Sequence, residues 1–192
     1  MKNLPRLLIG GQGRHGKDEA ALYLCKHYGF KAESSSHAAA RIFIFDILKN
    51  SDILVGGNTL INRLKLLFGL KKTGYKTVEE CFEDRHNHRE LWYRLICLYN
   101  REDKAALAKE IMKDNQIYCG MRDKDELFAC KNNVFDCTIW IDGSKRVEYV
   151  EDSSSINVDS SMFEEIIDNN STLEDFYKNL DGLMDKLGVS KL

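Results

Sequence analysis

Residues 10–18 have the residue types and the spacing of a loop that binds phosphate. They read Gly-Gly-Gln-Gly-Arg-His-Gly-Lys-Asp and follow the apolar run Leu7-Leu8-Ile9. A buried strand, a glycine-rich turn and a helix in this order direct backbone N–H groups and the positive end of the helix dipole at phosphate oxygens. We predict that Lys17 reaches the outer phosphates of a nucleoside triphosphate and that the preceding loop residues hold the rest: Gly11, Gln12, Gly13, Arg14, His15 and Gly16.

Asp18 stands where this loop usually has Ser or Thr. Mg²⁺ prefers carboxylate and water oxygens, so we predict that Asp18 serves the metal, directly or through a water molecule. The alternative is that Asp18 is simply an acidic residue in the first turn of a helix, where a negative charge interacts favourably with the helix dipole.

Two arginines four residues apart form a second candidate group. Arg85 and Arg89 lie in segment 84–94, which is rich in His and Arg. On a helix these side chains share a face, and two adjacent guanidinium groups can bind a phosphate bidentately. The alternative is a solvated helix face stabilised by ion pairs such as Glu90 with Arg94.

The same region contains aromatic and metal-ligating side chains. Candidates for a pocket around a base, although such residues are more often part of a core, are Phe82, Trp92, Tyr93 and His37. Zinc-ligand types also occur here, but without the spacing of a structural zinc module: Cys81, His86 and His88.

Polar residues follow two predicted core strands, where a ligand crevice is expected in a parallel sheet. Arg122 comes after the first of them, and Glu126, four residues on, is a candidate to orient it. Asp142 and Arg146 come at and after the end of the second, so we predict that both border the site. Arg146 is predicted to reach the triphosphate from a lid. An ordinary turn and a polar loop are the alternatives.

The hydrophobic pattern predicts alternating strands and helices. Strands are expected over 6–10, 30–34, 116–121, 137–142 and 165–168. Helices are expected over 17–28, through 38–48, from 77 with breaks to about 113, over 123–131, and from 172 to about 188. This alternation predicts an α/β three-layer sandwich with a parallel five-stranded sheet. We expect one domain over 1–192, with a helical acceptor-binding insertion at about 49–113 and a lid at about 143–160.

Charge and cysteine content indicate which classes of protein the chain fits poorly. The chain has 28 basic and 30 acidic residues, which gives no support for non-specific binding to nucleic acid. Residues 1–31 are basic, as an anion site requires, whereas 147–177 carry carboxylates and no Lys or Arg. The six cysteines form no Cys-x-x-Cys pair, which favours a reducing compartment. With no signal peptide or apolar span of about 18 residues, we expect a cytoplasmic protein with no membrane partner.

These motifs, in this order, resemble phage deoxynucleoside monophosphate kinases, in the branch of P-loop kinases that also holds dephospho-CoA kinases. The specific part is the form Gly-x4-Gly-Lys-Asp. The weaker collinear pieces are Tyr118-x-Gly120-Met121-Arg122-x3-Glu126, then Ile139-Trp140-Ile141-Asp142 with Arg146, then segment 166–174. A phage-encoded chain would act in the cytoplasm of its host.

The resemblance implies ATP with Mg²⁺ as phosphoryl donor and a deoxynucleotide as acceptor. It makes Arg122, Arg85 and Arg89 candidates for the acceptor and transferring phosphates, with Arg146 as the lid arginine. The chain departs from the pattern in two respects. Its lid has one arginine where such kinases often have several, and its third strand ends in Gly120-Met121-Arg122 without a preceding aspartate.

A second phage family is also similar: P-loop kinases that phosphorylate 5-hydroxymethyluracil within DNA. A monophosphate acceptor is already an anion, whereas a hydroxymethyl group needs a general base, for which Asp84, Asp142 or Asp123 are candidates. DNA would also favour a basic channel, and the near-zero net charge weighs modestly against it.

A P-loop NTPase that acts as a conformational switch is a third alternative, but no switch signature is evident in the sequence. The oligomeric state stays open, a homodimer included.

Overall fold

Five parallel strands form one sheet in the order β2-β3-β1-β4-β5. The computed structural model describes residues 4–49, 74–148 and 156–192. The strands are β1 (Leu7–Gly10), β2 (Ala32–Ser34), β3 (Ile117–Cys119), β4 (Cys137–Asp142) and β5 (Glu165–Asp168). The α/β prediction with a parallel five-stranded sheet is confirmed. The glycine-rich loop follows the central strand β1.

Helices cover both faces of the sheet. They are α1 (Lys17–Tyr28), α2 (Ser35–Ala39), α3 (Phe45–Leu48), α4 (Val78–Glu83), α5 (Arg89–Tyr99), α6 (Ala106–Ile111), α7 (Lys124–Cys130) and α8 (Leu173–Lys186). A π-helical turn joins α2 to α3 at Ala40–Ile44, and 3-10 turns occupy Asp84–Asn87 and Ser160–Met162. None of the helices in the described ranges has the length and apolar character needed to cross a membrane.

Successive residues of β1 enter two separate cores. Leu7 and Ile9 pack with α1 and α8, through residues such as Leu24 and Leu180. Leu8 packs on the other face, in the core that holds Leu91 of α5. Burial on both faces explains why this strand reads as a continuous apolar run rather than an alternating one.

Local signals define several element ends. The hydroxyl groups of Ser34, Thr77 and Thr172 accept backbone N–H groups at the starts of α2, α4 and α8. Gly29 ends α1 with a φ of 78°, a left-handed conformation that favours glycine.

The bounds of α1, β4 and β5 agree with the prediction, whereas other elements differ. Strands β2 and β3 are shorter than expected, and left-handed Gly120 directly follows the end of β3. The helical region from 77 to 113 is divided into α4, a 3-10 turn, α5 and α6. Parts of the predicted insertion, 50–73, and of the predicted lid, 149–155, lie outside the described residues.

Two glycines provide a matched test of packing. A Cβ atom on Gly10 would lie 2.4 Å from Cζ of the buried Phe163, whereas one on Gly182 in α8 meets nothing within 4 Å. We expect Gly10→Ala to lower the free energy of unfolding by about 1–3 kcal/mol through overpacking. Gly182→Ala should raise it by about 0.4–1 kcal/mol, because alanine favours the helix.

Urea unfolding measures both changes. Combining Gly10→Ala with Phe163→Leu should recover part of the loss. Equal stability of Gly10→Ala and the unaltered protein would contradict the packing described for β1.

Candidate active site

The glycine-rich loop connects β1 to the first turn of α1. Its backbone is left-handed at Gly11, Arg14 and Gly16, with φ values of 143°, 65° and 101°. The Lys17 ammonium group donates to the carbonyl of Gln12 at 2.6 Å. The lysine therefore lies back along the loop that it is predicted to serve, and the positive end of α1 lies beside it.

Two of the loop positions have no room for a side chain. A Cβ atom on Gly11 would lie 2.7 Å from the carbonyl oxygen of Ile141, and one on Gly16 would lie 2.4 Å from Nδ2 of Asn169. Both residues also have positive φ, which favours glycine. The glycine spacing seen in the sequence therefore has a steric cause in the packing of the loop against β4 and the residues after β5.

His15 and Asn169 hold the loop against the ends of β4 and β5. The Gly143 N–H donates to Nδ1 of buried His15 at 3.2 Å, and the Asn169 amide donates to the His15 carbonyl at 2.8 Å. Burial lowers the pKa of His15, so its neutral imidazole can accept this bond. The His15 side chain thus supports the loop from behind.

Arg146 contacts the same loop from the β4 side. Its Nε donates to the Asn169 carbonyl at 3.2 Å and its Nη2 to the Arg14 carbonyl at 3.4 Å. The Arg146 guanidinium group therefore lies next to the glycine-rich loop, a position compatible with its predicted contact to phosphate.

A cavity of about 970 Å³ opens beside the loop. Its wall includes Arg14, Lys17 and Asp18 of the loop region together with Arg85 and Arg89 of segment 84–94 and Arg122 after β3. The structure therefore brings five of the seven predicted catalytic residues to one space: Lys17, Asp18, Arg85, Arg89 and Arg122.

Arg85 and Arg89 reach this cavity without sharing a continuous helix. Arg85 lies in the 3-10 turn and Arg89 begins α5, because His88 between them has a φ of −134° that interrupts the helix. The prediction that Arg85 and Arg89 share one face of a continuous helix is therefore wrong, although both side chains line the same cavity wall.

The arginines lie close enough to affect one another. Burial lowers the pKa of Arg85, the charges of Arg89 and Arg122 lower it further, and the Asp18 carboxylate opposes this. The Arg85 guanidinium lies 3.7 Å from the ring centre of Phe82 and donates to the Phe82 carbonyl at 2.9 Å. This stacking holds Arg85 in place, and the clustered positive charges favour an anion between them.

Asp18 borders the cavity beside the loop, and its predicted role towards a metal stays a prediction. Its Oδ1 accepts from the thiol of Cys119 at 3.6 Å, and its side chain borders the cavity next to Lys17. Mg²⁺ typically takes one or two protein carboxylates and completes its shell with phosphate oxygens and waters, so one carboxylate suits it.

Zinc ligation finds no support in the described ranges. No three His, Cys, Asp or Glu side chains there are placed to hold a metal ion. His88 lies 3.3 Å from Asp84, and burial raises the pKa of the Cys81 thiol to about 12.

Asp84 and Asp142 lie outside the cavity wall. Hydrogen bonds from Tyr75, then Asn87, hold the pKa of Asp84 below its usual value. Burial acts to raise the pKa of Asp142, but hydrogen bonds from Ser144 and Asn170 keep it low. Both carboxylates are thus occupied by local structure, which sequence spacing did not reveal.

Three of the four candidate base-stacking residues line the cavity: Phe82, Trp92 and Tyr93. The fourth, His37, instead pairs with Glu33 at 3.1 Å and packs edge-on against Phe82. The Tyr93 hydroxyl donates to Oδ2 of Asp123 at 2.9 Å, which fixes the ring.

One face of α5 lines the cavity along its whole length. The lining residues recur at helical spacing and end with the C-cap residue Asn100: Arg89, Trp92, Tyr93, Ile96, Cys97 and Asn100. Sequence analysis recognised the first three and missed the others. The i, i+3, i+4, i+7 pattern of this mixed polar and aromatic face is the signal that identifies them.

Glu126 is a buried carboxyl group in the same wall. It is 2% exposed, and its Oε1 accepts from the Tyr118 hydroxyl at 2.8 Å. Burial raises its pKa to about 8, although hydrogen bonds from Tyr118 and Asn100 oppose this. Glu126 therefore forms a polar group with Tyr118, and its predicted role of orienting Arg122 stays a prediction.

No family model matches the chain, and no curated protein matches its sequence. Three solved structures show a weak likeness. A gluconokinase from Sinorhizobium meliloti 1021 has 11% identity and a TM-score of 0.43, over 96% of this chain and 95% of that one. A sugar kinase from Janibacter sp. HTCC2649 has 11% identity and a TM-score of 0.45, over 96% of this chain and 95% of that one. TT1252 from Thermus thermophilus has 15% identity and a TM-score of 0.49, over 95% of this chain and 98% of that one. Likenesses at this level say nothing about the substrate of this chain.

Glu126 should make stability depend on pH. Its pKa is about 8 in the folded chain and about 4.3 when unfolded, so between these values the folded state keeps a proton that the unfolded state has lost. The free energy of unfolding should therefore be highest at pH values below the pKa that Glu126 has in the unfolded chain. It should fall as the pH rises towards 8, by at most about 1.4 kcal/mol per pH unit.

Glu126→Gln tests this dependence, because the amide does not titrate. Relative to the unaltered protein, the variant should gain stability as pH rises from 5.5 to about 8.5. Glu102→Gln, an exposed carboxylate in the loop after α5, is the matched control. Chemical unfolding at several pH values gives the difference, and parallel curves for all three proteins would refute a buried neutral Glu126.

Proposed function

We propose that the chain is an ATP- and Mg²⁺-dependent phosphotransferase that acts on a deoxynucleotide, with a free deoxynucleoside monophosphate as acceptor. The observation that carries this proposal is one cavity bordered both by the phosphate-binding loop and by the cluster Arg85, Arg89 and Arg122. A loop of this kind binds one set of phosphates, and the separate arginines provide a place for a second anion.

The proposed reaction needs positioning and charge neutralisation. An oxygen of the acceptor phosphate forms a bond to the γ-phosphorus of ATP, the bond to the β-phosphate oxygen breaks, and the products are ADP and the nucleoside diphosphate. Lys17 and the loop amides would hold the donor phosphates, while the arginines hold the acceptor phosphate in line. Mg²⁺ held by Asp18 would offset the negative charge of the phosphates.

The positions and hydrogen bonds of the three candidate general bases favour an anionic acceptor over a hydroxymethyl group in DNA. That second reaction needs a general base, and two of its three candidates, Asp84 and Asp142, lie outside the described cavity wall. The third, Asp123, lines the cavity, but its carboxylate accepts from the Asp125 and Glu126 N–H groups, the Tyr93 hydroxyl and the Asn157 amide. Four hydrogen bonds occupy about as many acceptor sites as a carboxylate has, which leaves little room for a hydroxymethyl group to donate to it.

Labelled ATP with Mg²⁺ and each of the four common deoxynucleoside monophosphates tests the proposal. We expect label in at least one diphosphate. Lys17→Ala should reduce transfer by about 10²–10³-fold, because a preorganised charge on the transferring phosphates is lost. Lys26→Ala, near the other end of α1, is the matched control and should keep full activity.

Other outcomes identify the alternatives. Label in duplex DNA that contains 5-hydroxymethyluracil, with none in any monophosphate, would replace the proposed acceptor. Loss of ATP without label in any acceptor would indicate an NTPase. Full activity in folded Lys17→Ala would refute the role of the loop.

The arginine cluster gives a second test. Arg89→Ala should reduce kcat/KM for the acceptor by about 10- to 100-fold through loss of charge-assisted hydrogen bonds, with KM for ATP nearly unchanged. Arg89→Lys should recover only part of this, since lysine cannot bind bidentately. Arg94→Ala is the control, because Arg94 pairs with Glu90 on the same helix at 2.8 Å. An equal effect of Arg89→Ala and Arg94→Ala on the acceptor would contradict the assignment.

A further inference from the structure

The cavity has two chemically different ends. The α5 face runs from Arg89 to Asn100, and at 1.5 Å per residue this distance is about 16 Å. Arg89 lies with Arg85 and Arg122 at the cationic end, which the proposed function assigns to the acceptor phosphate. The opposite end of α5 therefore faces the part of the acceptor that is most distant from its phosphate.

A polar group of three buried side chains occupies that opposite end: Glu126, Tyr118 and Asn100. The Tyr118 hydroxyl donates to Oε1 of Glu126 at 2.8 Å. The Asn100 side chain also bonds to Glu126, and its own Oδ1 is occupied by the Leu107 N–H at 3.0 Å. Fixed in this way on β3, α5 and α7, the carboxyl group has little freedom to rotate.

The surroundings of Glu126 favour its neutral form. The titratable or charged groups near it on the elements packed around it are Tyr118, Cys97, Lys104, Asp123 and Cys130. Burial raises its pKa to about 8, and the Asp123 carboxylate acts in the same direction. A neutral carboxyl group whose Oε1 already accepts a bond has an O–H on its other oxygen to donate.

We propose that Glu126, held by Tyr118 and Asn100, determines the base specificity of the acceptor site by donating a hydrogen bond to a carbonyl oxygen on the distal edge of the base. This inference rests on the proposed function for the identity of the acceptor. The acceptor class is then a deoxynucleotide with a keto group at that edge, such as thymine or guanine. Cytosine and adenine carry an amino group there, which would place two donors against each other.

Direct binding tests this separately from catalysis. Calorimetric titration of dTMP, dGMP, dCMP and dAMP should give at least one keto nucleotide that binds about tenfold more tightly than either amino nucleotide at pH 7, the effect of about one hydrogen bond. At pH 8.5 ionisation of Glu126 should reduce this preference in the unaltered protein.

Glu126→Gln should keep the preference at both pH values, because its amide donates at all pH, and Glu126→Leu should abolish it. The Gln variant also controls for ionisation of the nucleotides themselves. Glu102→Gln should behave as the unaltered protein does. A thermal unfolding measurement confirms that each variant is folded.

The outcomes separate the two proposals. If keto nucleotides bind more tightly, this preference depends on Glu126, and no phosphoryl transfer is seen, the result supports this inference and refutes the proposed reaction. Transfer to nucleotides with equal binding of all four bases refutes this inference alone and leaves Glu126 a structural role. Failure of all four nucleotides to bind overturns this inference.

Discussion

The close contact between the glycine-rich loop and the ends of β4 and β5 is the constraint on which the site depends. Backbone N–H groups can converge on phosphate only if the loop keeps its left-handed residues, and bonds within the loop are supplemented by bonds from outside it. Two hydrogen bonds hold the loop in this conformation. The Asn169 amide donates to the His15 carbonyl at 2.8 Å, and the Gly143 N–H donates to the His15 ring at 3.2 Å. The strand order places β4 next to β1, so the topology itself brings these partners to the loop.

Local signals in the sequence were sufficient to predict the main strands and helices. The apolar run at Leu7–Gly10, the cap at Thr172 and the terminating Gly29 act within a few residues, so their consequences can be predicted from spacing alone. The order of the strands is a consequence of long-range pairing. Alternation of strands and helices predicted a parallel sheet, but which strand neighbours which became visible only in the register of β1 with β3 and β4.

The candidate site was less predictable, because it depends on where side chains turn after each element ends. Arg122 follows β3 and Asp142 ends β4, yet of these two only Arg122 lines the cavity, whereas Asp142 bonds to Ser144 and Asn170. Arg85 and Arg89 converge for a different reason from the one expected. Their segment is bent by a 3-10 turn, and tertiary packing rather than helical spacing brings them to one wall.

The charge of the cavity wall changes along α5, and this asymmetry is hard to explain by packing alone. At one end, burial and the clustered arginines lower the pKa of Arg85, although the Asp18 carboxylate opposes this, and a buried carboxyl group at the other end costs stability wherever the pH favours its ionised form. An apolar residue at position 126 could fill a core without that cost. In the proposed complex one ligand would span the cavity, with an anionic group towards Arg89 and a hydrogen-bond acceptor towards Glu126, and both features would then be favourable together. A phosphate alone would account for only one end of this face.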